Sequence, residues 1–244
     1  MILITRPKNE ALLLAKELKV KNFSTFVEPL VSFQYFKKQI NFSNKKIYIV
    51  TSLQAVHVLN KYRRSYKEII RLGNFVVVGE KVSLSLKNIG VQNIIRTFKT
   101  SELLKRYLLK LKQPELRLVY LCGSVVNEDF VYDMKIGKIK FNKIIIYKTI
   151  PLKQLSNRCV SLIRKNKIDV ILIYSLYTAN ILIRLLKKND LVNMLEKINV
   201  FCLSRRIAQR ICKEDISNKK RVLYARSPDQ RSMSDLIIKN QTII

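Results

Sequence analysis

The feature that most constrains this chain is a repeating rhythm. Short runs of β-branched and apolar residues end in a small or polar residue, and a segment of helical period follows. Ile2-Leu3-Ile4 leads through Thr5-Arg6-Pro7 into an amphipathic stretch over Glu10–Leu18, and Thr25–Val27 is the next short strand. Ile47–Val50 passes through Thr51-Ser52 into a helix ending near Leu59. Asn74–Val78 passes through Gly79-Glu80 into a helix from Val82 to Ile89. Ser101-Glu102 opens a helical stretch to Leu111, Leu116–Leu121 is a strand, and Gly123-Ser124 begins a helix near Val126 to Met134. Phe141–Tyr147 is a long β-type run. Beyond Pro151 come a helix over Leu155–Lys165, the strand Val170–Ile173, Tyr174-Ser175 and a helix over Thr178–Lys187. Val200–Cys202, Ser204 and a helix to Cys212 follow, then the strand Val222–Tyr224 and a last helix expected from Ser234-Asp235. Continuously apolar strands alternating with helices predict parallel sheets covered on both faces, an α/β fold of the doubly wound kind.

The pattern divides in two. Ile49-Val50-Thr51-Ser52-Leu53 is echoed by Leu172-Ile173-Tyr174-Ser175-Leu176. Val76–Gly79 is echoed by Val200–Ser204, and Ser101-Glu102-Leu103-Leu104 by Ser234-Asp235-Leu236-Ile237. Two similar α/β domains follow from this. The residues before Pro29 are too few for a domain, and the residues after Pro151 lack an opening unit. The economical arrangement joins 1–31 with 152–244 as one discontinuous domain, and folds 37–146 as a second. Two extended segments, 32–36 and 147–151, would connect them as a two-stranded linker.

Charge raises the question of partners. Lys and Arg total 47 against 17 Asp and Glu, a net charge of +30. Such a balance suits a polyanionic partner. It also suits a compositional bias, since 31 Lys, 30 Ile and 18 Asn are spread along the whole chain rather than gathered in a block. No apolar run approaches the roughly 20 residues of a membrane span, and the N-terminus lacks a signal-peptide pattern, so a cytoplasmic protein with no membrane partner is expected. The four cysteines (Cys122, Cys159, Cys202 and Cys212) are far apart and sit in apolar segments, which reads as buried thiols rather than a metal site. His57 is the only histidine, within a helical pattern.

Chemistry in such sheets gathers beyond the carboxyl ends of the strands. The candidate residues are therefore in the turns: Thr5, Arg6, Thr51, Ser52, Gly79, Glu80, Gly123, Ser124, Ser175, Ser204 and Ser227. Each turn precedes a helix whose first N–H groups are unpaired and attract negative charge. Each such Ser or Thr is equally a helix cap. Neither GxGxxG nor GxxxxGK[ST] occurs, and no close carboxylate pair follows a strand, so catalysis would depend on positioning a reactive substrate.

Ile2–Pro7, Glu28-Pro29-Leu30, Val50–Val56, Val77–Glu80, Tyr147-Lys148-Thr149, Tyr174-Ser175 and Ser204–Ala208 occur in an order and spacing that resemble the uroporphyrinogen-III synthase family. The resemblance implies two α/β domains with a cleft between them. It implies a hydro-lyase of haem biosynthesis that cyclises the linear tetrapyrrole hydroxymethylbilane to uroporphyrinogen III. Ring D is inverted on the way, through azafulvene and spiro intermediates. No cofactor, metal or nucleic acid is implied, and the expected state is a monomer. By the same resemblance Tyr147 assists departure of hydroxide. The turn residues, joined by Arg205 and Arg206, grip the eight carboxylates of the substrate. Two other classes compatible with the residues are a basic nucleic-acid-binding α/β protein and a non-catalytic two-domain ligand-binding protein.

Overall fold

The computed structural model describes residues 1–110, 117–126, 141–214 and 221–241. In chain order the first part comprises β1 (Ile2–Ile4), α1 (Lys8–Val20), β2 (Thr25–Val27), β3 (Val31–Tyr35), β4 (Lys46–Val50), α2 (Leu53–Lys61) and α3 (Lys67–Leu72). Then come β5 (Asn74–Val78), α4 (Glu80–Asn88), β6 (Asn93–Phe98), α5 (Ser101–Lys110), β7 (Arg117–Gly123) and β8 (Phe141–Pro151). The remainder is α6 (Asn157–Arg164), β9 (Val170–Ile173), α7 (Leu176–Lys188), a 3-10 turn (Val192–Glu196), β10 (Asn199–Cys202), α8 (Arg205–Cys212), β11 (Val222–Tyr224) and α9 (Gln230–Lys239). Two compact units result: Met1–Ser32 with Ile150–Ile244, and Phe33–Thr149.

The first unit contains a parallel sheet in the order β11-β10-β9-β1-β2. Its central strands are apolar at every position because both faces are covered: Ile2–Ile4 and Val170–Ile173 are fully buried. Ala11, Leu14 and Leu18 lie on one stripe of α1 and pack with Met233 and Ile237 of α9 against Ile2, Ile4, Val170, Leu172 and Phe201. Glu28 is the buried acid of this unit. Its carboxylate accepts from the Ser156 N–H at 2.7 Å and the Ser156 hydroxyl at 2.9 Å, while Ser156 Oγ caps α6 by accepting from the Cys159 N–H.

The second unit contains the sheet order β3-β8-β7-β4-β5-β6. From β8 to β6 its strands are parallel. The Phe36 N–H donates to the Ile146 carbonyl and the Leu152 N–H to the Leu30 carbonyl, so β3 runs antiparallel to β8. Alternation along β4 sends Tyr48 and Val50 to the face covered by α2, α3 and α4, and Ile47 and Ile49 to the face covered by α5. The α/β fold with parallel sheets is therefore as the sequence pattern required.

The structure differs from the pattern in two places. The last helix begins at Gln230, not Ser234, because the Asp229 carboxylate accepts from the Ser232 N–H at 2.8 Å and caps it there. Ser234 is thus inside α9, and its likeness to Ser101, which opens α5, does not extend to structure. Helix α3 is not evident from the pattern; it is only six residues long, too short to display a period. The helix expected over 126–134 lies outside the described residues beyond Val126, and so do Leu111 and Leu116, the expected end of one helix and start of one strand.

Glu28→Ala leaves the Ser156 N–H and hydroxyl without their acceptor, and is expected to cost about 2–3 kcal/mol of stability. Urea unfolding measures this; Glu28→Gln, which keeps an acceptor in place, is expected to lose less.

Candidate active site

Sheet order determines where a site can form in the second unit. The helices following β4 and β5 lie on one face, whereas α5, which leads into β7, lies on the other. Val126, just past β7, packs on the α5 face as well. The exits of the adjacent strands β4 and β7 therefore diverge to opposite faces, which leaves a crevice beyond their carboxyl ends. A cavity of about 310 Å³ is found there, lined by Thr51, Ser52, Val78, Ser101, Tyr120, Gly123, Val125, Val126 and Tyr147.

Tyr147 reaches this cavity through an irregularity in β8. Cys122 pairs with Ile145, but Gly123 pairs with Tyr147, so Ile146 is one residue extra. Such a bulge changes the direction of the next side chain, and Ile146 and Tyr147 are consecutively buried as a result. The Tyr147 ring abuts Gly123: a Cβ at that position would overlap Cε2 and Cζ of the ring. Phe33 meets the ring edge-on, with centroids 5.8 Å apart at 85°. Ser124 fixes the backbone, since its N–H donates to the Tyr147 carbonyl at 2.9 Å and its Oγ accepts from the Thr149 N–H at 3.2 Å.

Burial is the main influence on the phenols. It pushes Tyr147 above its ordinary pKa of 10.0, opposed by hydrogen bonding from the Ser52 hydroxyl. It pushes Tyr120 up to about 12, opposed by the Thr51 hydroxyl, which lies 2.9 Å from the phenol oxygen. Both phenols are neutral near neutral pH and can donate hydrogen bonds. Cys122 is raised to about 11 by burial, so it is a thiol and not a nucleophilic thiolate.

The sequence-derived candidates separate into two groups. Thr51, Ser52, Gly123 and Tyr147 share this cavity. Gly79 and Glu80 are not among its lining residues. Gly79 begins α4 with φ +94°, donating its N–H to the Phe98 carbonyl at 2.8 Å, and Glu80 is exposed in the first turn. Tyr120 and Ser101 also line the cavity, although the turn pattern does not mark them as site residues. Tyr120 sits inside an apolar strand, where sequence offers no sign that its hydroxyl reaches the edge.

In the first unit the corresponding strand ends are those of the neighbours β1 and β9, and the side chains there bond to one another. Thr5 is buried and donates to the Leu172 carbonyl at 2.6 Å, so this hydroxyl holds the sheet together. Arg6 donates to Gln230 Oε1 at 2.6 Å, pairs with Glu10, and stacks 4.2 Å over the Tyr174 ring. Ser175 caps α7 by accepting from the Thr178 N–H at 3.1 Å. Ser204 has extended dihedrals before α8, but its hydroxyl does not cap that helix, and Arg205 and Arg206 are exposed in the first turn.

The family model described as uroporphyrinogen-III synthase HemD matches residues 13–235, which is most of the chain. The chain belongs to the uroporphyrinogen-III synthase family. Family and fold together make it an enzyme of the uroporphyrinogen-III synthase type, in porphyrin biosynthesis. Among solved structures it is similar to the uroporphyrinogen-III synthetase of Helicobacter pylori, with 15% identity, 98% of each chain covered and a TM-score of 0.65. It is also similar to a mutant uroporphyrinogen III synthase of Thermus thermophilus, with 13% identity, 98% of this chain and 97% of that chain covered, and a TM-score of 0.59. No curated protein matches by sequence. At such identities the structural likeness speaks for the fold.

Two outcomes follow from the geometry. Gly123→Ala must displace the Tyr147 ring, and is expected to cost about 1–3 kcal/mol; thermal unfolding and the near-ultraviolet tyrosine signal check this. Second, the folded chain binds protons more tightly than the unfolded chain at Tyr120, Cys122, Cys159 and Cys202, whose values rise from 10.0 or 9.0 to about 11 to 12. Their contribution is intact below pH 9 and is lost as pH climbs from 9 to 12. Urea midpoints are expected to fall steadily across that window; a level profile would contradict the burial of these groups.

Proposed function

We propose that the chain converts hydroxymethylbilane into uroporphyrinogen III, inverting ring D, and that the cavity holding Tyr147 is where the hydroxyl leaves. The observation that carries this reading is the position of Tyr147. It is a buried, neutral phenol turned by a bulge into the crevice of the second unit, in a chain whose family match spans residues 13–235.

The chemistry needs a donor and a firm hold on a flexible polyanion. The pyrrole nitrogen of the terminal ring expels the hydroxyl and loses its N–H proton, so that hydroxide and proton leave together as water and a neutral azafulvene remains. The substituted carbon of ring D then attacks, giving a spiro intermediate that opens and recloses with the ring reversed. A phenol raised above its ordinary pKa keeps its proton, so it is a poor source of a fully transferred proton but remains able to donate a hydrogen bond. Tyr147 therefore donates to the departing oxygen, and Ser52, beside it, steadies the phenol. Thr51 and Ser101 offer further hydroxyls, while Val78, Val125 and Val126 give the cavity apolar walls. Arg205 and Arg206 are proposed carboxylate contacts. Arg6 and Thr5 have mainly a structural part, given their existing partners.

Spontaneous closure of the bilane gives the isomer with ring D uninverted, so product identity tests the proposal. Chromatography of oxidised product from purified enzyme and hydroxymethylbilane is expected to show the type III isomer in excess. Type I alone would refute it. Tyr147→Phe keeps the ring and removes the donor; turnover is expected to fall about 10- to 100-fold, the worth of one hydrogen bond to a charged group, with substrate binding retained. Unchanged turnover would remove Tyr147 from the mechanism.

A further inference from the structure

A larger concavity lies at the other end of the second unit. Helix α2 leads away from the Tyr147 cavity, and its last residue, Lys61, begins the wall of a cavity of about 730 Å³. Six cations line it: Lys37, Lys61, Arg63, Arg64, Lys67 and Arg71. No carboxylate lines it, and none of the six has an ion-pair partner among the described residues. In another basic concavity of the unit, near α5, Arg106 pairs with Glu102. In the larger hollow Lys61 lies 5.6 Å over the rings of Tyr35 and Tyr62, but no acid answers the cations among the described residues. Compositional bias accounts for lysines on many surfaces. It does not account for six cations converging on one hollow with no acid between them.

The hollow is also built on a fixed frame. The α2–α3 turn that carries Arg63 and Arg64 closes through backbone bonds from Arg63 N–H to Asn60 and from Tyr66 N–H to Tyr62. Tyr66 is buried, and its hydroxyl bonds the backbone of Lys38 twice: it accepts from the N–H and donates to the carbonyl, both at 2.9 Å. Tyr62 donates to the Tyr35 carbonyl at 3.3 Å. Two tyrosines therefore tie the segment bearing Lys37 to the turn bearing the arginines. Gly90, at φ +98°, lies against Arg63: a Cβ there would touch the guanidinium at 3.4 Å and Ile70 at 3.9 Å. Fixing the backbone that carries the cations before a ligand arrives reduces part of the ordering cost of binding it.

We propose that this hollow is a binding site for a compact oligophosphate, separate from the Tyr147 cavity. The volume matches one small ligand, within the roughly 300–1,000 Å³ usual for such sites. Arginine forks and lysine ammoniums suit adjacent phosphates carrying three or more charges. The flank of Tyr62 and the side chain of Ile70 provide a small apolar margin, as a nucleoside would use. A nucleic-acid strand would be expected to require a long basic stripe, and these cations, all exposed, are confined to one hollow.

Isothermal titration with inorganic tripolyphosphate tests the proposal, at about 150 mM salt, where screening reduces the effect of distant charge beyond ~8 Å. One saturable site per chain is expected. The double variant Arg63→Ala/Arg64→Ala, and separately Lys67→Ala, should bind at least about tenfold more weakly while keeping the wild-type circular dichroism. The control Lys16→Ala/Lys19→Ala removes two exposed charges from α1 and should bind as wild type does. Equal weakening in both double variants would overturn the proposal, because the overall charge would then be responsible. No saturable binding would overturn it too, as would a single-stranded oligonucleotide binding more tightly than tripolyphosphate. Adenosine triphosphate as a second probe distinguishes the source: equal affinity means the phosphate chain alone is recognised, and tighter binding means the margin at Tyr62 holds a nucleoside.

Discussion

In a parallel sheet all strands end on one edge, and a crevice opens wherever two neighbours leave toward opposite faces. That constraint organises the second unit. It places Thr51-Ser52 at the end of β4 beside Gly123-Ser124 at the end of β7, although 69 residues separate Thr51 from Tyr120, whose side chains touch across it. The bulge at Ile146 then adds Tyr147 from the next strand. Neither feature would be useful alone. The crevice without the bulge would lack its phenol, and the bulge against any residue larger than glycine would have nowhere to seat the ring.

The two units use the same architecture differently. In the first, Arg6 beyond the end of β1 is held by Glu10, Gln230 and the face of Tyr174 beyond the end of β9. A charged side chain in that position completes the structure. In the second, small residues and hydroxyls leave space. Repetition of a fold therefore does not repeat a site, because the side chains at the strand ends decide whether the crevice is a joint or a pocket. The cationic hollow at the far end of the same unit belongs to neither category, since it is formed by the opposite ends of the helices.

Much of this is legible in the residues. Fully apolar strands such as Val170–Ile173 announce burial on both faces, and Ser52 and Ser175 cap helices where turn chemistry puts them. Tyr147 stands out through a family resemblance, and its neighbours Thr51, Ser52 and Gly123 through their place after strands. Two things are not legible. Arg6 carries the same pattern signal as a ligand-binding arginine, and only its contacts show that it already has partners. Tyr120 lies within an apolar run, where nothing local distinguishes a hydroxyl at the mouth of a cavity from one deep in a core. The last helix shows a third limit: Asp229 and Ser234 both fit as starts, and the side-chain bond from Asp229 decides between them.

A double-mutant cycle on the rate of ring closure tests the central claim most directly, using Gly123→Ala, Tyr147→Phe and the two together. If Gly123 matters because it seats the Tyr147 phenol, adding Gly123→Ala to Tyr147→Phe slows the enzyme little further, and the two effects are strongly non-additive. Independent, additive losses would contradict the account, because the glycine and the phenol would then be serving separate purposes.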